Sequence, residues 1–300
     1  MARTRFVPDH SLTGRMVFVV FLLGLLYVSV IAGLIAFTNV SSIAILVVAA
    51  GFLLAQWYWS DKLALMAMGA REVDRDQAPE LHALVDRMVA LADMPKPRIA
   101  ISYLDMPNAF ATGRNPSNAV LCVTDGLMRR LRTEELEGVI AHELSHIAHR
   151  DVAVMTVASF LGVVAGLIFR FGVYFGGGGR SNNNNAVPVF AIIWLGSIAV
   201  YVISFLLTRA LSRYREFAAD RAAAYLTGNP SSLASALTKI TGDTAKIPTR
   251  DLRKTAAASA FFFAPAAVGR SLSGILSTHP PTEKRIQKLA EISAQLGRPF

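Results

Sequence analysis

Four long stretches of this chain contain no charged side chain, and they limit its possible folds more than any other feature. They cover residues 16–37, 43–59, 152–169 and 187–207. A helix rises about 1.5 Å per residue, so about 20 apolar residues cross the hydrocarbon core of a bilayer. Hydrophobic residues make up 53% of the chain, which is more than an ordinary soluble domain contains. We therefore expect a mainly α membrane protein with four hydrophobic helices.

The first two stretches are predicted to form a helical hairpin. The segments outside them, residues 3–15 and 62–75, carry basic side chains, whereas the connector 38–42 carries no charge. Positive charge favours the cytoplasmic side of a membrane, so both outer ends of the hairpin are expected there. A cleaved signal peptide is the alternative, but its apolar region is shorter, and here a second stretch follows almost at once.

The last two stretches are separated by the Gly/Asn-rich segment 176–185, whose composition is typical of a flexible loop. If all four stretches cross the membrane, this segment lies outside the cytoplasm. Alternatively, 152–169 and 187–207 are core helices of a globular protein, although their lengths favour transmembrane helices. The expected units are an N-terminal hairpin (1–60), a cytoplasmic part (61–151), a second hairpin (152–208) and a C-terminal cytoplasmic part (209–300).

The net charge of +9 raises the question of a nucleic-acid partner. The basic residues, however, flank the apolar stretches, where anionic lipid headgroups account for them, and the chain has no nucleic-acid-binding motif. We therefore expect a lipid bilayer, and no nucleic acid, as a partner. Cys122 is the only cysteine, so the chain forms no internal disulfide bond and suits a reducing compartment.

Between the second and third stretches, the sequence predicts an α+β domain with a small β-sheet. Residues 79–93 have the apolar spacing of an amphipathic helix, and 98–103 and 119–124 are β-like runs separated by the turn-rich segment 108–117. Beyond the fourth stretch we expect the helix to continue as far as Gly228. Further helices are predicted at 231–240 and 281–296.

The segment 133–150 contains the most specific motif of the chain. In it, His142, Glu143 and His146 form the pattern HExxH. This spacing places two imidazoles one helical turn apart on one face, where they can bind zinc, and the glutamate beside them can take a proton from water. Thr133 is predicted to cap the start of the helix. The alternative is a surface helix with solvated histidines, but the histidines collect opposite the apolar side chains, which favours a metal site.

A catalytic zinc site needs a third protein ligand. His149 is near in sequence, but successive turns of one straight helix cannot direct three imidazoles to the corners of a tetrahedron. Glu216 and Asp220 lie four residues apart on one predicted helix. One carboxylate can therefore bind the metal while the other orients a histidine through its second ring nitrogen. In the alternative, both carboxylates are exposed and pair with arginines of the same helix, namely Arg213, Arg215 and Arg221.

Four separately placed motifs carry a resemblance to a known family. They are His142–His146 with the sequence HELSH, Glu216–Asp220, Asn108–Gly113, and Thr278–Pro281 followed by Arg285. Together with the paired apolar stretches, they resemble the HtpX-type membrane zinc metalloproteases, which are relatives of the CaaX prenyl proteases. The motifs are spread over nearly the whole chain.

This resemblance implies a zincin-like catalytic domain of the gluzincin type, facing the cytoplasm in a multi-pass protein of the bacterial inner membrane. It implies one Zn²⁺ per chain, with His142, His146 and Glu216 as ligands and Glu143 as the group that activates water. The expected substrates are polypeptides, above all misfolded or damaged membrane proteins. The expected role is protein quality control during stress.

Two further groups of residues are assigned by the same likeness. His279, in the family's His-Pro motif, is the candidate donor to the oxyanion; Tyr214 is a weaker candidate, and a histidine of an ordinary turn is the alternative for His279. The segment Asn108–Gly113, which includes the proposed substrate-strand residues Asn108, Ala109 and Phe110, is expected to serve as an edge strand that pairs with an extended substrate.

Two other functions compete with this prediction. An intramembrane metalloprotease of the site-two type places its histidines inside a lipid-buried helix, but here charged side chains flank and interrupt the helix, and burying them in lipid is costly. These side chains are Arg132, Glu134, Glu135, Glu137, Arg150 and Asp151. A catalytically silent membrane scaffold or channel would have no need for a complete set of metal ligands.

Overall fold

The computed structural model describes residues 10–37, 42–151, 186–244 and 280–300, together with 154, 155, 158 and 165. The described residues form two units. The apolar-helix unit consists of described residues within 14–56 and 154–211, and the sheet unit of those within 1–13, 57–153 and 212–300.

The apolar-helix unit contains helices that match the predicted apolar stretches. Helix α1 covers His10–Phe37 and α2 covers Ser42–Tyr58, so the first two apolar stretches are both helical. Among the described residues, two segments are long and apolar enough to cross a membrane, Thr13–Val30 and Leu195–Thr227. In the most apolar 18-residue window of each, only 11% and 22% of the residues, respectively, are buried. The core helix of a soluble protein would be mostly buried, so these helices expose their apolar side chains as membrane helices do. The stretch 152–169 lies largely outside the described residues.

The sheet unit follows the sequence prediction closely. Its elements are α3 (Ser60–Ala67), β1 (Ala70–Glu72), α4 (Pro79–Ala92), β2 (Arg98–Ser102), β3 (Ala109–Gly113), a short 3₁₀ turn (Pro116–Asn118), β4 (Ala119–Thr124), α5 (Asp125–Arg130), α6 (Thr133–Ala148), the second half of α7 (Ala186–Thr227), α8 (Pro230–Thr244) and α9 (Thr282–Gln295). The predicted helices α4, α6, α8 and α9 and the strands β2 and β4 are confirmed to within a few residues. Strand β1 was not predicted, because a three-residue polar strand leaves no periodic signal.

The strands form one mixed sheet in the order β1-β2-β4-β3. Strands β2 and β4 are parallel, and β1 and β3 pair antiparallel to β2 and β4. Strand β3 is therefore an edge strand, within a segment whose composition indicated turns. Strand β3 also contacts α6.

Both faces of the sheet are covered, and alternate side chains of each strand enter different cores. Leu121 and Val123 of β4 belong to the larger core, which α4, α6, α8 and α9 complete. Val120 and Cys122 of the same strand enter the smaller core beside α3. This two-residue alternation is the ordinary geometry of a strand, and it explains why β4 is an uninterrupted apolar run.

Helix α6 begins differently from the prediction. Thr133 is its first residue, and Arg132 occupies the capping position. The Oε2 atom of Glu135 accepts a hydrogen bond of 2.9 Å from the backbone N–H of Arg132. The prediction that Thr133 caps this helix was therefore wrong, because a glutamate in the first turn satisfies the backbone without a hydroxyl group.

Helix α7 runs without interruption from Ala186 to Thr227, as the sequence predicted. It ends at Gly228, whose φ of +61° is the left-handed conformation that terminates many helices. This long helix positions two carboxylates near its C-terminal end against α6.

Candidate metal centre

The two histidines of the HExxH pattern face one another on α6. Their Nε2 atoms are 3.2 Å apart, and the ring planes are nearly perpendicular, at 88°. Both side chains are buried, because α7 and α9 cover this face of the helix with charged groups. Two imidazoles separated by one turn thus present the same ring nitrogen to one point.

Glu216 of α7 brings a carboxylate to that point. Its Oε2 atom lies 3.6 Å from Nε2 of His142, and its Oε1 atom lies 3.6 Å from Nε2 of His146. Among the described residues, the three side chains form the group that could hold a metal ion, with ligand atoms within 4.8 Å of one another. Tetrahedral zinc with ligands about 2.0–2.2 Å away keeps those ligands about 3.3–3.5 Å from each other. The donor set and its spacing therefore fit zinc.

The other ring nitrogen of each histidine faces an aspartate. Nδ1 of His142 lies 3.0 Å from Oδ1 of Asp220, and Nδ1 of His146 lies 2.6 Å from Oδ2 of Asp151. A carboxylate on Nδ1 favours the tautomer that leaves Nε2 available to a metal. Asp220 thus lies where the sequence analysis expected an orienting carboxylate.

The two histidines differ in how readily they take up a proton in the absence of metal. Burial lowers the pKa of His142, but the hydrogen bonds and charges of Asp220 and Glu216 outweigh it and raise the pKa to about 9. Burial also lowers the pKa of His146, and the hydrogen bond that its ring donates to Asp151 does not compensate, so that its pKa stays below the ordinary value. His142, one of the two candidate ligands, therefore carries an additional proton at neutral pH, which metal binding would displace.

Glu143 lies beside the three candidate metal ligands, on the side of α6 that faces the edge strand. Burial raises its pKa to about 7, and the negative charge of Glu216 adds to this effect, against the opposing charge of His142. Its carboxylate also accepts a hydrogen bond from the backbone of Ala111 in β3. A carboxyl group that exchanges its proton near neutral pH is suited to general acid–base chemistry.

Three residues at the site had no predicted role. Asp151 follows α6 after Arg150, whose left-handed φ of +57° turns the chain back towards His146. Asp151 had been noted only as a charge that flanks the helix, although its distance of five residues from His146 was a usable signal. The guanidinium of Arg215 contacts Asp151 at 2.9 Å. Arg285 binds Asp220 with two hydrogen bonds of 2.7 and 2.6 Å.

These contacts decide between the alternatives for Glu216 and Asp220. Both carboxylates are buried at the histidines rather than exposed. The arginine that pairs with Asp220 is Arg285 of α9, and the alternative of surface ion pairs along α7 is wrong.

The remaining predicted residues lie at different distances from this centre. His149 is exposed at the end of α6 and is not part of the group of metal ligands. Asn108, Ala109 and Phe110 are buried at the start of β3. Tyr214 is partly buried on α7. His279 lies outside the described residues.

A comparison with known protein families identifies the family of this chain. The pattern of peptidase family M48 matches residues 75–293, which include all the site residues described above. This chain belongs to peptidase family M48. M48 peptidases are zinc metalloproteases, so the centre on α6 and α7 is that of a metalloprotease, and the resemblance stated from the motifs is confirmed.

Several M48 relatives match over nearly the whole chain. Protease HtpX homolog 1 of Streptomyces coelicolor is 57% identical over 98% of this chain and 97% of its own length. Protease HtpX homologs of Moorella thermoacetica and Methanosarcina mazei are 50% and 49% identical, each over 98% of this chain and over 98% and 100% of their own lengths.

A solved structure shows the same fold. Ste24p of S. mikatae superposes with a TM-score of 0.55 at 15% identity, covering 89% of this chain and 62% of its own. At that identity the likeness concerns the fold alone, and this M48 chain spans less than two thirds of the larger protein.

Proposed function

We propose that this M48 peptidase holds one zinc ion through His142, His146 and Glu216 and hydrolyses peptide bonds with Glu143 as the general base. The observation that carries the proposal is the convergence of three buried donor groups from two helices, with a fourth, proton-exchanging carboxyl group beside them. When bound, zinc supplies a Lewis acid that polarises the peptide carbonyl and makes a water molecule more acidic.

Glu143 performs the proton transfers in this proposal. Its carboxylate takes a proton from the attacking water and then donates it to the nitrogen of the leaving amine. The backbone of Ala111 holds the carboxylate on the side of the edge strand. His279 remains the candidate oxyanion donor, and Asp220 remains the residue that orients His142.

Strand β3 provides a place for the substrate backbone. The even-numbered residues of β3 direct their backbone groups towards β4, since Asn108 exchanges hydrogen bonds with Thr124. In an antiparallel pair alternate residues direct their backbone groups away from the partner strand, which places those of Ala109 and Ala111 on the side of α6. Because Asn108, Ala109 and Phe110 bury their side chains, we propose that they act through backbone pairing, which gives low sequence specificity. The variant Ala109→Pro should lose most activity on an unfolded protein, and full activity would contradict this role.

We propose that the catalytic part lies at the cytoplasmic face of the bacterial inner membrane. The protein has four hydrophobic helices in this proposal, and both of its termini lie on the cytoplasmic side. The two membrane-length helices among the described residues and the basic segments beside the apolar stretches support this arrangement. The domain limits given from the sequence, with hairpins at 1–60 and 152–208, belong to the same proposal. The expected substrates are misfolded or damaged membrane proteins.

Glu143→Gln tests this function, because it keeps the size and burial of the side chain but removes the base. The variant should bind zinc like the wild type and cleave an unfolded polypeptide at least about 10³-fold more slowly. Equal proteolysis by the two proteins would overturn the proposal. Cleavage confined to transmembrane segments, with none in a soluble unfolded protein, would favour the intramembrane type of protease instead.

A further inference from the structure

We propose that Arg285 and Arg215 are positioning residues for the zinc site, each acting through an aspartate on one zinc-ligand histidine. The inference rests on the proposed zinc site and extends it to two arginines, from different parts of the chain, that are not among the proposed zinc ligands. Two parallel chains of contacts carry it, one ending at His142 and one at His146.

The first chain runs from Arg285 through Asp220 to His142. The guanidinium of Arg285 donates two hydrogen bonds to the carboxylate of Asp220, from Nε to Oδ2 at 2.7 Å and from Nη2 to Oδ1 at 2.6 Å. The same Oδ1 atom lies 3.0 Å from Nδ1 of His142. The Nη1 atom of Arg285 also lies 3.4 Å from Oε2 of Glu216. With 1% of its surface exposed, Arg285 is enclosed by the groups that it organises.

The second chain runs from Arg215 through Asp151 to His146. The Nε atom of Arg215 lies 2.9 Å from Oδ2 of Asp151, and that same oxygen lies 2.6 Å from Nδ1 of His146. Asp151 is itself buried, with 2% of its surface exposed. Arg215 precedes Glu216 on α7, so a single turn of α7 supplies both a proposed metal ligand and the residue that fixes a second one.

A buried aspartate needs a cationic partner in order to orient a histidine. An unpaired carboxylate in the interior is strongly disfavoured, so it would take up a proton or turn towards water. In either case it would no longer hold the imidazole in one tautomer and one orientation. The planar guanidinium fixes both position and charge, which the single charged point of a lysine cannot do.

The two arginines are expected to matter unequally. Arg285 makes two short hydrogen bonds and comes from α9, which is anchored in the core by Leu289. Arg215 makes one close contact with its aspartate through Nε and has a side chain that is 11% exposed. Zinc affinity should therefore depend more on Arg285, and through it on the packing of the C-terminal helix.

The test compares zinc dissociation constants, measured by competition with a chelator, for the full-length protein and matched variants. Arg285→Gln should weaken zinc binding about 10- to 100-fold and Arg215→Gln about 10-fold, which is the range for partners of metal ligands. The absorption spectrum of bound Co²⁺ should change in both, since the histidines lose their fixed orientation. Arg285→Lys should restore only part of the affinity.

Lys239→Gln is the matched control, because it also removes a cation from a buried carboxylate, that of Glu135 on the same helix α6. It should lower stability without changing zinc affinity or the Co²⁺ spectrum. An equal loss of zinc affinity in this control would show general destabilisation and overturn the inference. If Arg285→Gln does not fold, Arg215→Gln, nearer the surface, decides the question.

The outcomes separate this inference from the proposed function. If both glutamine variants bind zinc as tightly as the wild type, with an unchanged Co²⁺ spectrum, the arginines are not positioning residues and the zinc site itself stands. If the wild-type protein binds no zinc, or binds it equally well after His146→Ala, the proposed function fails first and the inference fails with it.

Discussion

The two faces of helix α6 are equally buried but are buried by opposite means. One face, the packing face of Ile140, Leu144 and Ile147, lies against aliphatic side chains of the larger core. The other, the site face of His142 and His146, lies against carboxylates held by arginines. Burial alone therefore does not tell a structural residue from a functional one in this protein.

The two faces differ in the interactions that offset the free-energy cost of removing their groups from water. On the packing face, removal of apolar surface from water stabilises the fold directly. On the site face, each buried polar group is balanced by a specific opposite charge, which contributes little net stability but fixes orientation. Changes on the site face should therefore alter metal binding and catalysis, whereas changes on the packing face should alter the free energy of unfolding.

The sharpest contrast between the faces is the pair His142→Ala and Leu144→Ala. Loss of a proposed ligand in His142→Ala should weaken zinc binding by more than the roughly 100-fold loss that removal of an orienting partner causes, and abolish proteolysis. Leu144→Ala leaves a cavity in the core and should lower the free energy of unfolding by about 2–4 kcal/mol while one zinc still binds. Zinc content, chelator competition and urea unfolding measure both effects. Zinc loss in Leu144→Ala, or full zinc binding in His142→Ala, would break the comparison.

Glu135 tests whether a buried charge on α6 outside the site behaves as a structural group. Burial raises its pKa, but hydrogen bonds from Lys239, Ser235 and the backbone of Arg132 outweigh this and lower it to about 2. Because the folded pKa lies below that of the unfolded chain, the stabilisation is present above about pH 4.5 and is lost as the pH falls towards 2. Glu135→Gln should therefore lower the free energy of unfolding by about 3 kcal/mol at pH 7.

The control for this prediction is the exposed neighbour Glu134, whose change to Gln should have little effect. The difference in stability between wild type and Glu135→Gln should shrink between pH 4.5 and pH 2. A loss of zinc in Glu135→Gln, or a difference that persists at pH 2, would contradict a purely structural role.

The affinity of the site face for zinc should depend on pH. His142, with a pKa of about 9 in the metal-free protein, must release a proton before its Nε2 atom binds zinc. Apparent affinity should accordingly rise by up to about tenfold per pH unit between pH 6.5 and 9 and level off above that. Titration calorimetry in buffers of different ionisation enthalpy measures the released proton directly. A zinc affinity that is independent of pH over this range would show that His142 is not protonated in the metal-free protein.

The smallest expected effect concerns Gly138 of α6, which packs against Leu233 of α8. A methyl group there would lie 3.2 Å from both the Cα and Cβ atoms of Leu233, so Gly138→Ala should destabilise the fold by about 1 kcal/mol. Gly242 of α8 is the control, because a methyl group there meets no atom within 4 Å. Gly242→Ala should stabilise the protein by about 0.5–1 kcal/mol through helix propensity. Thermal unfolding of the two variants should shift in opposite directions, and shifts in the same direction would show that the helices separate easily.

Much of this architecture could be predicted because it depends on local periodicity. Helix α6, with its HExxH spacing, and the apolar stretches are visible in the sequence as repeating patterns. The presence of Glu216 and Asp220 at the site was predicted from motif resemblance, since their own sequence context, taken alone, favoured surface ion pairs.

What the sequence did not predict depends on contacts between distant segments. Arg285 reaches Asp220 from the last helix, and no spacing rule links two residues on separate helices. Asp151 is close to His146 only because Arg150 adopts a left-handed conformation, which is uncommon for a residue other than glycine. An edge strand was expected at Asn108–Phe110, but the turn-rich composition gave no partner strand for it, and its pairing with β4 is known only from the structure.

The most direct test of the account is X-ray absorption spectroscopy of the zinc-loaded wild-type protein, which counts the imidazoles around the metal. The account predicts two histidine ligands, at about 2.0–2.1 Å, with the remaining positions filled by oxygen. Three imidazoles would bring in a histidine other than His142 and His146, and a sulfur ligand would place the metal at Cys122. Either result would contradict the ligand set of His142, His146 and Glu216.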